Sequence, residues 1–144
     1  MMKLISKFAL LITLLAILYL LISGNLFSTS PFVVAGQLLA VALGVWARRS
    51  FQAEQFSIHA EPAEGTLLFS GPYQIIRHPM YAATLLFIWS GILGHLSINN
   101  VVIGLIVASV VAVRIMTEEQ FLQTHYPEYT KYSLKTKRIV PFII

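Results

Sequence analysis

Residues 77–114 read RHPMYAATLLFIWSGILGHLSINNVVIGLIVASVVAVR, a stretch with arginine at both ends and no other Asp, Glu, Lys or Arg inside it. A hydrocarbon core of about 30 Å takes roughly 20 apolar residues per helix, so this run has the length of two spans. Gly94, Ser97, Asn99 and Asn100 near its middle supply the turn that divides it. The arithmetic repeats upstream, where no charged residue lies between Lys7 and Arg48 and Gly24, Asn25, Ser28, Ser30 and Pro31 mark the division. The pattern predicts an all-α integral membrane protein with four transmembrane helices, at about 5–23, 31–47, 79–96 and 100–117. A loop over 48–78 and a tail over 118–144 complete a single membrane domain spanning 1–144.

Composition agrees. The 144 residues are only 11% charged, and the mean hydropathy of +0.76 lies far above that of soluble globular chains. Lys3, Lys7, Arg48, Arg49, Arg77, Arg114, Lys131, Lys135, Lys137 and Arg138 all fall on one side of the predicted bundle, and the two short turns on the other side carry neither Lys nor Arg. The positive-inside rule then puts both termini in the cytoplasm and the polar segments on the cytoplasmic face of the inner membrane. A polybasic tail beside a bilayer accounts for the formal charge of +4 without nucleic acid as a partner. The first apolar run is longer than the core of a secretory signal, and no A-x-A-like site follows it, so it reads as a retained helix. With no cysteine there is no disulfide framework and no thiolate nucleophile. His59, His95 and His125 lack the spacing of a metal cage, and no metal is expected. The glycine-rich fingerprints of dinucleotide and phosphate loops and the G-x-S-x-G elbow are missing as well.

Three constellations remain. Arg77-His78-Pro79-x-Tyr81 puts a proline where a helix start tolerates its missing N–H, with His78 at the positive end of the helix dipole. Arg114 and Glu118 stand four residues apart and share a helix face, with Glu119 next to them. Ser70-Gly71-Pro72 reads as a tight turn that aims Tyr73 back at the membrane surface. The tail holds Tyr126, Tyr129 and Tyr132 followed by Lys135, Lys137 and Arg138, and it extends the fourth helix or forms an interfacial one, with a break at Pro127. Each constellation also has a plain reading as topology signal, interfacial ion pair or aromatic belt. Charge at the end of so long an uncharged run is nonetheless a functional pointer. Gly36, Ala40 and Gly44, at four-residue intervals, offer a close-packing stripe, expected to serve within the bundle.

Taken together, TLLFSGPYQIIRHPMYAAT, RIMTEEQFL, YPEYTKY and TKRIVPFI resemble the isoprenylcysteine carboxyl methyltransferase family, and the related phospholipid N-methyltransferases share part of the pattern. The likeness runs over roughly residues 65 to 143. It implies a small helical membrane enzyme that uses S-adenosyl-L-methionine to methylate a lipophilic small molecule or lipid, such as the carboxyl group of an isoprenylcysteine-like acceptor. Carried over by position, the implied cofactor contacts are Gly65, Thr66, Leu67, Leu68, Tyr73, His78, Pro79, Met80, Tyr81, Glu118 and Glu119, with Glu119 in a supporting part. Arg114 and Glu118 take the implied catalytic positions, Arg114 on the acceptor side. The chain departs from the family where a glycine is common at the position of Ala83, and where the prenylcysteine enzymes can carry His at the position of Gly65. A phospholipid N-methyltransferase, a sterol-reductase-like enzyme and a non-catalytic membrane scaffold are the alternatives.

Overall fold

The structure is a computed structural model that describes residues 2–50 and 70–141. Among these residues all regular structure is helical: α1 (Met2–Ile22), α2 (Pro31–Ser50), a 3-10 turn at Gly71–Gln74, α3 (Pro79–Gly94), α4 (Ile98–His125) and α5 (Tyr129–Lys135). Among the described residues two helices, α2 and α4, are long and apolar enough to cross a membrane, and Lys7–Ile22 of α1 and Pro79–Gly94 of α3 are shorter apolar stretches. Side chains such as Leu14, Leu15 and Leu18 of α1, Leu38 and Leu39 of α2, and Leu105 and Ile106 of α4 stand exposed on the outside of the bundle. Exposed aliphatic surface on this scale fits contact with acyl chains.

The helix ends follow from local chemistry. Gly24, at φ +71°, closes α1. Its N–H bonds Leu21 O, and the Asn25 N–H bonds Leu20 O at 2.8 Å, which together form a Schellman cap. Proline stands first in both α2 and α3, where its missing donor leaves nothing unsatisfied. Ser97 caps α4 by accepting from the Asn100 N–H at 3.2 Å.

The bundle is ordered α1, α4, α3, α2, with α2 packed most extensively on α3. Small residues set the distance between those two helices: a methyl group on Gly36 would collide with Ser90 Oγ, and one on Gly44 would sit 3.7 Å from the Ala83 Cβ. The Gly36–Ala40–Gly44 stripe therefore packs inside the bundle as expected, and Ala40 and Ala47 are buried along the same seam. Gly44 also gives Ala83 the room for its methyl group. Leu20, Ile88, Ile92, Val107, Val111 and Ile115 form the core between α1, α3 and α4.

At the end where α1 finishes, polar groups tie the two turns together. Asn100, almost wholly buried, donates to His95 O at 2.6 Å and meets Asn25 at 3.4 Å, while His95 Nε2 reaches Phe27 O at 2.8 Å. This lattice moves two expected boundaries. The third helix stops at Gly94 rather than 96 because His95 turns out to make those contacts, and the fourth starts at Ile98 rather than 100 because Ser97 caps it. The second helix runs to Ser50 rather than 47. The fourth continues past the expected span end at 117 to His125, the extension into the tail that the sequence allows up to Pro127, and its last turns bury Glu119 and Leu122.

Candidate functional site

The opposite end of the bundle collects the charged residues. Gly71, at φ +59°, forms the expected tight turn and lies so close to α2 that an added methyl group would strike Ser50 Oγ. The 3-10 turn that follows seats Pro72 and Tyr73 in the interior. Residues 75–78 then run parallel to the tail: Lys137 N donates to Ile75 O at 3.1 Å, Arg77 N to Lys137 O at 2.7 Å and His78 N to Arg138 O at 2.9 Å. The tail is thus hydrogen-bonded directly onto the segment that begins α3.

Glu119 is the centre of this join. Its side chain is 5% exposed, and its oxygens accept from Arg77 Nε at 2.8 Å and Arg138 Nε at 2.9 Å, with His78 Nε2 3.3 Å away. Arg77 has further acceptors in Ser133 O at 2.8 Å and Thr136 O. Burial by itself would raise the pKa of Glu119. The hydrogen bonds from His78, Arg77 and Arg138 outweigh it and bring the value down to about 2. Glu119 lies on the turns of α4 beyond its apolar run, so this cluster marks the polar edge of the bundle.

A second cluster adjoins it. Tyr81, on the first turn of α3, donates to Glu118 Oε2 at 2.9 Å. One face of its ring stacks with His78 at 5.5 Å and 23°, and the Arg114 guanidinium sits over the ring at 5.3 Å from the centroid. The i, i+4 spacing of Arg114 and Glu118 thus brings both to one tyrosine. Tyr132 donates to Tyr73 O at 2.6 Å, and Tyr129 is buried beside Tyr132. The Tyr129 hydroxyl is buried without a hydrogen-bond partner among the described residues. Burial pushes the phenols of Tyr73 and Tyr129 well above the ordinary value and that of Tyr132 to about 12, so all three remain neutral.

Of the residues singled out in the sequence, Tyr73, His78, Pro79, Met80, Tyr81, Arg114, Glu118 and Glu119 come together at this end of the bundle. Gly65, Thr66, Leu67 and Leu68 lie outside the described residues. Arg77 and Arg138, read in the sequence as topology and tail charges, are the main partners of Glu119. Among the described residues no three His, Asp or Glu side chains gather as a metal cage.

A family model described as phospholipid methyltransferase matches residues 12–129, most of the chain. The chain belongs to the phospholipid methyltransferase family. The match takes in Tyr73, the RHP-x-Y segment and the Arg114–Glu119 face. Among curated proteins, the cobalt-zinc-cadmium resistance protein CzcN of Cupriavidus metallidurans is 36% identical over 81 residues. That alignment covers 53% of this chain and 36% of CzcN, so the similarity spans little more than a third of that relative.

Proposed function

We propose that this phospholipid methyltransferase family member spans the membrane four times as one unit, with its termini and charged end at the cytoplasmic side of the inner membrane. There it transfers a methyl group from S-adenosyl-L-methionine to a lipophilic, membrane-partitioned acceptor. The observation that carries the reading is the Tyr81 node, where His78, Glu118 and Arg114 converge on one aromatic ring. The set fits such a donor chemically: a carboxylate for hydroxyl or ammonium groups, and a helix N-terminus for a carboxylate.

When bound, S-adenosyl-L-methionine supplies a methyl carbon already activated by its sulfonium, so the protein has to align and exclude water more than move protons. Tyr81 and Glu118 orient the donor, with Tyr73, Pro79 and Met80 completing the pocket. His78 lines it while Glu119 fixes the imidazole from behind. Arg114 holds the acceptor, and a bidentate guanidinium suits a carboxylate, which needs no general base for methylation. An isoprenylcysteine-like carboxyl group is therefore the favoured acceptor. An apolar groove of about 210 Å³ lined by Ile17, Ala40, Val41, Ala83, Thr84 and Phe87 opens beside α3 one turn past Met80 and offers room for the acceptor's hydrocarbon chain. Glu118, next to Arg114, supports a second reading with a phospholipid amine, whose ammonium it would attract.

Titration of the detergent-solubilised protein with S-adenosylhomocysteine should show saturable binding; its absence with a folded protein would remove the donor assignment. Lipid extract incubated with methyl-labelled donor separates the acceptors, since a methyl ester releases its label as methanol in alkali and an N-methyl group does not.

A further inference from the structure

The tail helix α5 has two faces. Tyr129, Tyr132 and Thr136 turn inward: Tyr129 and Thr136 are buried, and Tyr132 bonds Tyr73 O. Lys131, Leu134 and Lys135, at i, i+3 and i+4, share the other face and are exposed, Leu134 at 83%. Lys137 is exposed just beyond the helix, and Val140 stands 42% exposed after it. Between Tyr126 and Pro141 the chain carries Lys131, Lys135, Lys137 and Arg138 against one carboxylate, Glu128. Arg138 is committed to Glu119. Lys131, Lys135 and Lys137 take part in no ion pair among the described residues. A large aliphatic side chain held in water between lysines is a poor arrangement for a surface facing solvent, and a favourable one at the boundary of an anionic bilayer.

We propose that the Lys131–Leu134–Lys135 face of α5, with Lys137, docks on anionic lipid headgroups of the membrane in which the protein sits, and that this docking tightens the methyl-donor site. A chain of hydrogen bonds forms the coupling route. The residue after α5, Thr136, accepts from Arg77; Lys137 and Arg138 hydrogen-bond the backbone of residues 75–78; and Arg138 shares Glu119 with Arg77 and His78. Holding α5 against headgroups holds this strap, and the strap positions His78, which stacks on Tyr81. The docking half stands on the tail alone, and the coupling half rests on the donor assignment made above.

Both halves can be read in the full chain reconstituted in nanodiscs of phosphatidylcholine alone or with phosphatidylglycerol. The protein has no cysteine, so Leu134→Cys gives a single site for an environment-sensitive fluorophore. The label should shift to the blue and gain protection from acrylamide, a neutral quencher, in the anionic discs. Both effects should vanish in about 1 M salt, where the screening length falls to roughly 3 Å, and in the combined Lys131→Gln, Lys135→Gln, Lys137→Gln variant. S-adenosylhomocysteine, measured on the unlabelled chain, should bind about fivefold tighter in anionic discs, the lower end of ordinary coupling between sites. The triple variant should lose this difference. A label indifferent to lipid charge, or a shift that survives the triple substitution, would overturn the docking face. Equal product affinity in both discs with the shift intact would overturn the coupling. No product binding in either disc, again with the shift intact, would overturn the donor assignment and leave the docking face standing.

Discussion

Replacing Glu119 with Gln keeps the shape of the side chain and removes the charge on which Arg77, His78 and Arg138 converge. Two routes give the size of the loss. Moving a carboxyl pKa from about 4.3 in the unfolded chain to about 2 corresponds to roughly 3 kcal/mol, at 1.36 kcal/mol per unit. Counting contacts instead, the hydrogen bond from Arg77, whose side chain is 8% exposed, is worth about 1.5–3 kcal/mol. The Arg138 contact adds little because that side chain is 49% exposed. Both routes give about 2–3 kcal/mol, or a fall of roughly 5–10 °C in melting temperature for a chain of this size. Intrinsic fluorescence of Trp46 and Trp89 in detergent is a suitable readout. The pH dependence supplies the sign: the folded pKa is depressed, so the contribution is complete above about pH 4.3 and lost as pH falls toward 2. The wild-type protein should melt well above Glu119→Gln at pH 7, and the gap should close between about pH 4 and pH 2. Equal melting at pH 7, or a gap that persists at the acid end, would refute the view that a buried, ionised Glu119 holds the tail to α3.

Arg114→Ala should leave S-adenosylhomocysteine affinity within about fivefold, the equivalent of one lost cation–π contact, while turnover falls by about 10²-fold or more; a parallel loss of both would refute the acceptor-side role. Gly71→Ala should lower the melting temperature through its left-handed backbone, worth about 1–2 kcal/mol, and through collision with Ser50. Adding Ser50→Ala should recover only the part due to the hydroxyl, since the Ser50 Cβ still lies 3.0 Å from the added methyl group. Asn100→Ala should destabilise by about 1–3 kcal/mol, because His95 O loses a buried donor, with little effect on S-adenosylhomocysteine binding at the other end of the bundle. A thermal melt and a titration on the same sample check both halves of that statement.

The sequence was most legible where local chemistry decides the outcome. Gly94 and Ser97 broke the second apolar run because glycine and small polar residues carry their own turn chemistry, while Asn99 and Asn100, expected in the turn, fall in the first turn of α4; Pro79 announced the start of α3. It was least legible where partners are distant in the chain. Of the two courses open to the tail, extension of the fourth helix or a separate interfacial helix, α4 takes the first as far as His125, because a helix of Glu, Gln, Phe and Leu continues readily into water. Arg77 and Glu119 are 42 positions apart, and nothing local to either tells a buried arginine from a topology signal. The parallel pairing of residues 75–78 with 137–138 was equally hidden, because so short a strap has no alternation to read. The Tyr81 cluster lay between these extremes: helix geometry put Arg114 and Glu118 on one face, but their meeting at Tyr81 depended on how α3 and α4 pack.

The two adjacent carboxylates explain why that packing is so definite. A buried ion cluster is a weak source of net stability, since apolar residues of similar volume often do as well, and its better-attested use is to fix register. Here Glu119 is matched to Arg77 and His78, and Glu118, about 100° around the helix, to Tyr81. Sliding α4 by one residue along α3 would therefore mispair both carboxylates together, leaving Arg77 buried beside the wrong side chain and Tyr81 without its acceptor. The apolar seams higher in the bundle tolerate small shifts, because leucine and valine contacts are non-directional. Directional groups at one end thus determine how the arginine at 114 and the tyrosine at 81 face each other. In-line methyl transfer demands such fixed alignment, with reacting atoms held about 3–3.5 Å apart.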